Sequence, residues 1–395
     1  MRVLSQRPAL PLARRMSEIE PFHVMELLAR AKALEAQGRD IVHMEIGEPD
    51  FATPRPICEA GIRALQHGEL FYTPALGLPE LREAIAGFYQ TRHGVTVSPS
   101  RVVITAGASG ALLLAIAALV NPGDQVLMAD PGYPANRHFV RMMGGEAVGI
   151  PVGPDSHYQL TPALIEQHWS ERTVAVLAAT PSNPTGTLIS REHLAAMAAF
   201  AQRRNGVLMV DEIYHGLVYE GRETTALDAG DNVFVINSFS KYFNMTGWRL
   251  GWMVVPEPYV SDLDKLSQNI YLSAPTTAQL AARAAFEPAT LAICDARREA
   301  FRERRDFLAP ALRALGFDIP HLPQGAFYVY AGCGRFTQDS HAFALDMLEQ
   351  AGVAITPGID FGSHRAHEHV RFAYTRPVER LREGVRRISA YLGRG

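Results

Sequence analysis

Short apolar runs alternate with helical patterns through the middle of the chain. Residues 102–105, 125–129, 174–179, 207–210 and 233–236 are near-continuously apolar and short enough to be buried strands. Helical spacing of apolar positions predicts helices between them, at 109–119, 135–143 and 190–203. Apolar strands separated by helices are typical of a mostly parallel sheet covered on both faces, so the sequence predicts an α/β fold.

The two ends of the chain have a different pattern. Residues 21–37 and 288–315 predict helices, and the second of these is long and rich in arginine. Extended runs at 327–330, 353–356 and 370–374 follow, with helices predicted between and after them. We therefore expect a large domain over 51–285 and a smaller α+β domain formed by 16–50 and 286–395. Residues 1–15 hold four arginines and no acid, and we expect a disordered leader there.

Composition excludes several classes of function. A net charge of -3 gives no basic excess for nucleic acid, and no apolar run is long enough for a membrane span. The three cysteines are scattered, which is typical of a reducing compartment without a disulfide framework. We expect a cytoplasmic enzyme.

One lysine occupies an unusual place. The chain contains only Lys32, Lys241 and Lys265, and Lys241 alone lies between two apolar runs, 233–236 and 252–255. Burying an ammonium is costly unless it is paired or chemically used. Lys241 is therefore a candidate for chemistry.

Like Lys241, several other candidate residues directly follow predicted strands of the same sheet. In open α/β sheets, ligands bind beyond the carboxyl ends of the strands, so these residues should meet. They supply anion donors, a planar aromatic ring, an amide, a carboxylate, a phenol and an amine, which together suit a flat, phosphorylated, heteroaromatic aldehyde. They are Ala108, Ser109, Tyr133, Asn183, Asp211, Tyr214, Ser238, Ser240 and Lys241.

At this point a family resemblance is plain. The chain resembles the fold-type I pyridoxal-phosphate aminotransferases of class I/II, the aspartate aminotransferase superfamily. The resemblance implies a large domain with a mostly parallel sheet of the seven-stranded type, lying between helices. It also implies a ping-pong reaction between an L-amino acid and a 2-oxo acid. The motifs that carry it run from Gly47-Glu-Pro-Asp-Phe51 through Asn183-Pro-Thr-Gly186, Asp211-Glu-Ile-Tyr214, Ser240-Lys241 and Gly247-Trp-Arg249 to Arg371.

The resemblance implies catalytic roles for Lys241, Asp211 and Tyr214. Lys241 would form the resting Schiff base and later carry a proton as base and acid. Asp211 would pair with the pyridine nitrogen and keep it protonated. Asn183 and Tyr214 would bind the phenolic oxygen of pyridoxal phosphate, and Tyr133 would stack on its ring.

The remaining implied roles concern the phosphate and the substrate. Ala108, Ser109, Ser238, Ser240 and Arg249 would hold the phosphate through helix N-terminal amides, hydroxyls and a guanidinium. Tyr72 matches a tyrosine lent to the phosphate of a neighbouring subunit, which implies a homodimer. Gly47, Asn183 and Arg371 would bind the substrate α-carboxylate, with Arg371 as the planar bidentate donor.

The sequence says less about which amino acid donates the amino group. Gln268 stands at the position that resembles that of the distal-carboxylate arginine in aspartate-specific relatives, and the helix over 110–119 offers no cation. A neutral or apolar donor is therefore favoured. A carbon–sulfur β-lyase would use the same lysine, aspartate and arginine and remains an alternative. A non-catalytic pyridoxal-phosphate-binding regulator is a second one, although the roughly 40 residues before Gly47 are too few for a winged-helix module.

A histidine cluster near the carboxyl end resembles a metal site. His364, His367 and His369 lie close to Glu368, but their spacing is not that of a zinc-protease motif. A solvated loop is the favoured interpretation, and we expect no metal in this chain.

Overall fold

A seven-stranded sheet forms the centre of the molecule. The computed structural model describes residues 12–68 and 70–393. The described strands are β1 Val42–His43, β2 Val102–Thr105, β3 Gln125–Asp130, β4 Glu146–Pro151, β5 Thr173–Ala179, β6 Val207–Asp211, β7 Val233–Ser238, β8 Gly251–Val254, β9 Tyr328–Gly332, β10 Val353–Ala354, β11 Thr356–Pro357 and β12 His369–Ala373. The strands of the seven-stranded sheet lie in the order β2-β8-β7-β6-β5-β3-β4.

The sheet is parallel except at one strand, which confirms the predicted α/β fold. β8 runs antiparallel to both of its neighbours, β2 and β7. The connection from β7 to β8 holds no α-helix, and a parallel neighbour would need a crossover connection of a dozen or more residues, usually through a helix.

Both faces of the sheet are buried in hydrophobic clusters. Along β7, Val233 and Val235 belong to one cluster, whereas Phe234 and Ile236 belong to the other. This alternation follows from the two-residue repeat of a strand. With both faces covered, the carboxyl edge of the sheet is where polar side chains can collect.

Helices cover the two faces of the sheet and fill the ends of the chain. The longest begins at Pro288, which suits a first helical turn because it needs no hydrogen-bond acceptor. The α-helices are α1 His23–Ala36, α2 Arg55–His67, α3 Pro79–His93, α4 Gly107–Leu119, α5 Pro134–Met142, α6 Pro162–His168, α7 Arg191–Arg203, α8 Val260–Ile270, α9 Thr276–Ala282, α10 Pro288–Ala314, α11 Ser340–Asp346 and α12 Val378–Tyr391.

Two small sheets bring the ends of the chain together. β1 pairs in parallel with β10, and β11, β12 and β9 form an antiparallel sheet. The extended run at 353–356 was expected to be one strand, but it divides into β10 and β11, which pair with different partners. The domain boundaries drawn from the sequence stay predictions.

The beginning of the chain is only partly described. Residues 1–11, most of the predicted leader over 1–15, lie outside the described residues. Arg14–Ser17 form a short 3-10 helix. Within the described parts of the chain, every helix is too short or too polar to cross a membrane.

Candidate active site

A cavity of about 280 Å³ lies at the carboxyl edge of the large sheet. The residues predicted to act there come from strands and connections that are far apart in sequence. All of the predicted site residues except Tyr72 line the cavity. They are Gly47, Ala108, Ser109, Tyr133, Asn183, Asp211, Tyr214, Ser238, Ser240, Lys241, Arg249 and Arg371.

Lys241 lies in the wall of the cavity, three residues beyond the end of β7. Its Nζ donates a hydrogen bond to the carbonyl oxygen of Gly47 at 2.7 Å. Burial lowers the pKa of Lys241 to about 8; Glu48 opposes this shift, whereas the positive charge of Arg371 adds to it. An amine with this pKa is largely neutral in mildly basic solution, as a base or nucleophile requires.

Asp211 ends β6 and is buried beside the cavity. Its Oδ1 accepts a hydrogen bond from the backbone amide of Ile213 at 3.1 Å. Burial raises the pKa of Asp211 to about 7, although this amide and the charge of Lys241 both oppose the shift. Because these two groups offset only part of the cost of burying its negative charge, the Asp211 carboxylate is suited to pair with a cationic ring nitrogen.

Arg371, on β12, is a buried cation without a described carboxylate partner. Only 5% of the residue is exposed. Its Nη1 donates to Asn183 Oδ1 at 2.9 Å and its Nη2 to the carbonyl oxygen of Glu45 at 2.6 Å. Its buried Nε has no acceptor in the described parts of the chain. A guanidinium in this state can take up an incoming carboxylate.

Tyr328, on β9, was not predicted from the sequence. Its hydroxyl lies 2.8 Å from that of Tyr214, and its ring lies against the Arg371 guanidinium at 4.2 Å. A Cβ added at Gly47 would lie 1.9 Å from the Tyr328 hydroxyl. Only glycine therefore fits at position 47. The sequence signal that could have pointed to Tyr328 is the run Gly325-Ala-Phe327 directly before it.

Anion donors collect in the wall of the cavity near the start of α4. The first amides of α4, at Ala108 and Ser109, lie at its wall. The Ser238 hydroxyl lies 2.9 Å from the Ser240 hydroxyl. Arg249 has a positive φ of 54°, and its guanidinium lies so close to Gly107 that a Cβ there would be 2.8 Å from Nη2. The Arg249 guanidinium forms no ion pair with the described residues. Together, these amides, hydroxyls and the guanidinium suit a phosphate.

The start of the amino-terminal helix α1 forms part of the cavity wall, which the sequence did not reveal. Phe22, Val24 and Met25 line the cavity at the start of α1. The carboxylate of Asp360 accepts hydrogen bonds from the backbone amides of His23 at 2.8 Å and Val24 at 2.9 Å. Asp360 thus caps a helix more than 300 residues away in sequence, a pairing that no local pattern could have indicated.

Two residues singled out from the sequence lie away from the cavity of this chain. Tyr72 is 81% exposed. Gln268 is on the exposed side of α8, where its amide donates to Asp264 Oδ2 at 3.0 Å. Neither lines the cavity.

The residues present fit pyridoxal phosphate. A phosphate suits the donor set around Ala108 and Arg249, and a protonated pyridine nitrogen suits the buried carboxylate of Asp211. An aldehyde suits the amine of Lys241, because burial lowers the pKa of this amine to about 8. The chemistry of the cavity therefore agrees with this cofactor.

Comparisons with known proteins agree with the site. Residues 39–388 match the family model "Aminotransferase class I and II". The valine–pyruvate aminotransferase of Mycobacterium tuberculosis is 42% identical, covering 95% of this chain and 97% of the relative. The aspartate/prephenate aminotransferase of Thermus thermophilus is 36% identical, covering 97% and 99%.

Solved structures are similar over the same span. An aminotransferase from Mycobacterium tuberculosis superposes with a TM-score of 0.94 at 41% identity, covering 98% of this chain and 100% of that one. Aspartate aminotransferase from Thermus thermophilus with maleate gives 0.91 at 35% identity, covering 96% and 99%. The relatives favour neither the β-lyase nor the regulator. The chain belongs to the class I and II aminotransferases and is a pyridoxal-phosphate-dependent transaminase of amino-acid metabolism.

Proposed function

We propose that this transaminase takes its amino group from a neutral or apolar L-amino acid and passes it to a small 2-oxo acid such as pyruvate. The observation that carries the proposal is which charged side chains line the cavity. Lys241, Arg249 and Arg371 are the cations among its described lining residues. Each already has a role with the cofactor or the α-carboxylate, so the described lining residues of this chain offer no further cation for a second substrate carboxylate.

The wall that remains for the substrate side chain is apolar. Phe22, Val24 and Met25 of the amino-terminal segment lie there, with Phe361 beside Arg371, whose guanidinium is 4.8 Å from the Phe361 ring. Burying each methylene group is worth about 0.8 kcal/mol, so valine should exceed alanine by roughly tenfold in kcat/KM. The relative named valine–pyruvate aminotransferase supports the same preference.

The substrate is bound through its carboxylate. Arg371 presents its buried guanidinium, with Nε free of any described acceptor, and Asn183 fixes one edge of that group at 2.9 Å. Gly47 allows close approach because a side chain there would overlap Tyr328. These contacts orient the Cα–H bond of the donor toward Lys241, which removes the Cα proton as general base.

Other residues hold the cofactor and tune it. When bound, pyridoxal phosphate supplies an aldehyde for the amine and a ring that accepts the electron pair released at Cα. Asp211 would keep the ring nitrogen protonated, while Asn183 and Tyr214 would bind the phenolic oxygen. Tyr133 would pack on the ring. The phosphate would be held by Ala108, Ser109, Ser238, Ser240 and Arg249.

A homodimer completes the site in this proposal. Leu70, Phe71 and Tyr72 are 38%, 78% and 81% exposed, and Ile270 and Leu272 add 44% and 49%. The Thr276 hydroxyl donates to the Phe71 carbonyl oxygen at 2.7 Å, which joins the two segments. Contiguous exposed apolar residues of this kind favour a protein interface. Through it, Tyr72 reaches the phosphate of the neighbouring subunit.

Mixed dimers test that arrangement. Tyr72→Ala and Lys241→Ala chains are each expected to be nearly inactive alone. A mixed dimer would contain one site with both residues intact, so mixing the two should restore part of the activity. Mixtures that stay inactive although sedimentation shows mixed dimers would contradict the shared site.

A donor panel tests the substrate class. Initial rates for valine, alanine, methionine, phenylalanine and aspartate are measured with pyruvate and with 2-oxoglutarate. The proposal expects the apolar donors to exceed aspartate, and pyruvate to exceed 2-oxoglutarate, because both half-reactions use one side-chain pocket. Aspartate turning over faster than every neutral donor would overturn it.

A further inference from the structure

A cluster of metal-ligating side chains lies outside the active site, where α1 meets α11. His23 and Glu26 are one helical turn apart on α1, and His341 is near the start of α11. One ligand atom from each of the three lies within 4.8 Å of the others. The two imidazole rings meet edge to face, with centroids 5.0 Å apart.

The backbone on both sides of this cluster is fixed. Asp360 accepts hydrogen bonds from the amide of His23 at 2.8 Å. Asp339 does the same for the amide of His341 at 3.0 Å. The two histidine backbones are therefore held in place by carboxylate caps, and only side-chain rotation separates the present arrangement from a closed metal site.

The side chains themselves are uncommitted. No described residue forms an ion pair or hydrogen bond with the side chain of Glu26, His23 or His341, although the two rings contact each other. A second set, His93, His215 and Glu223, has similar spacing. There, however, both Glu223 oxygens are occupied: Oε1 accepts from Arg92 at 2.8 Å, and Oε2 accepts from the Gly216 amide. A cation in that set would compete with Arg92.

We propose that His23, Glu26 and His341 bind one zinc ion per chain and thereby join α1 to α11. Two imidazoles and one carboxylate are ligands that Zn²⁺ accepts, with water in the fourth position. Bonds of about 2.0 Å in a tetrahedron place ligand atoms about 3.3 Å apart, so a modest rotation of partly exposed side chains closes the site. Mg²⁺ prefers oxygen ligands and is not expected to bind. The site departs from our sequence-based expectation of no metal.

Bound zinc would act on the active site through α1. The segment that carries His23 also carries Phe22, Val24 and Met25, which form the apolar wall of the cavity. Tying this segment to α11 stiffens the wall, and we expect zinc to lower kcat.

Calorimetry on the tag-free, EDTA-treated holoenzyme without substrate tests the binding. ZnCl₂ should bind at one ion per chain and raise the melting temperature, whereas MgCl₂ should do neither. His341→Ala should weaken zinc binding by more than about tenfold, and His341→Cys should retain it because thiolate is also a zinc ligand. His193→Ala removes an exposed histidine of α7 and should behave like the wild type.

Comparing His341→Ala with His93→Ala distinguishes the two candidate sites. Zinc binding that persists in His341→Ala and disappears in His93→Ala would assign the ion to the buried set and overturn the proposal. Absence of saturable zinc binding in the wild type would also overturn it. Zinc should lower kcat in the wild type and leave that of His341→Ala unchanged; equal inhibition of both would overturn the link through α1.

Discussion

Replacing Arg371 by lysine tests how the substrate carboxylate is bound. This guanidinium is buried: Nη1 donates to Asn183, Nη2 donates to the carbonyl oxygen of Glu45, and Nε has no acceptor among the described residues. A carboxylate bound by its fork gains two charge-assisted hydrogen bonds, each worth about 1.5–3 kcal/mol. The single ammonium of lysine retains at most one in this geometry. We expect kcat/KM for valine to fall roughly 10- to 150-fold.

Most of this loss should appear in KM, because the carboxylate is present before and during proton removal. The assay is oxo-acid formation at varied valine concentration, with the visible spectrum confirming bound cofactor. Slow turnover of isobutylamine, which lacks the carboxylate, should be unaffected by Arg371→Lys. Arg365→Lys is the matched control, since that side chain is 58% exposed and pairs with Glu368. A loss below about threefold for valine would refute the bidentate role.

Three further predictions concern the other side chains of the cavity. Lys241→Ala should abolish turnover while the circular dichroism spectrum is retained, and good transamination by the variant would contradict the role. In the wild-type apoenzyme, the rate at which added pyridoxal phosphate bonds to Lys241 should rise with pH through about 8, where burial places the pKa of the free amine. Burial raises the Asp211 pKa to about 7, above its usual value near 4, so the native apoenzyme binds the extra proton and loses stability as pH rises between these values. In urea titrations above pH 7, the Asp211→Asn apoenzyme should be more stable than the wild type, by at most on the order of 4 kcal/mol, although its transaminase activity collapses; a less stable variant would contradict the burial argument. Gly47→Ala should lower kcat/KM because its Cβ would meet the Tyr328 hydroxyl at 1.9 Å, and adding Tyr328→Phe should recover part of the loss; no recovery would place the strain elsewhere.

The large sheet could be predicted because its strands are buried on both faces. Continuous apolar runs such as 207–210 and 233–236 have few other interpretations when helical patterns separate them. The strand-end rule then brought Asp211, Asn183 and Lys241 to one edge before any contact was known. The structure places all three at the same cavity.

Elements with weaker patterns were missed. α8 carries the polar run Ser261-Asp-Leu-Asp-Lys265 and was not recognised as a helix, although Leu263 and Ser267 are buried four residues apart on one face. α6 and α9 have only seven residues each, too few for a periodic signal. The apolar pattern over residues 41–46 favours a longer strand than β1, which has only two ladder residues. The chain bends at Glu45, where the backbone carbonyl oxygen accepts hydrogen bonds from Arg371 and Thr356.

The parts of the site that escaped prediction depend on long-range contacts. Tyr328 became recognisable only when β9 was seen beside Tyr214, and the amino-terminal wall only when Asp360 was seen capping α1. Sequence spacing carries no information about such pairs, which are set by how the ends of the chain pack on the large sheet.

The most direct test of the proposed donor class is a single half-reaction. The yellow holoenzyme is mixed with either L-valine or L-aspartate, without an oxo acid, and the loss of the aldehyde absorbance is followed by stopped flow. We expect valine to convert the enzyme rapidly to its pyridoxamine form, with one equivalent of the branched 2-oxo acid released, and aspartate to react far more slowly. Rapid conversion by aspartate and slow conversion by valine would contradict the account.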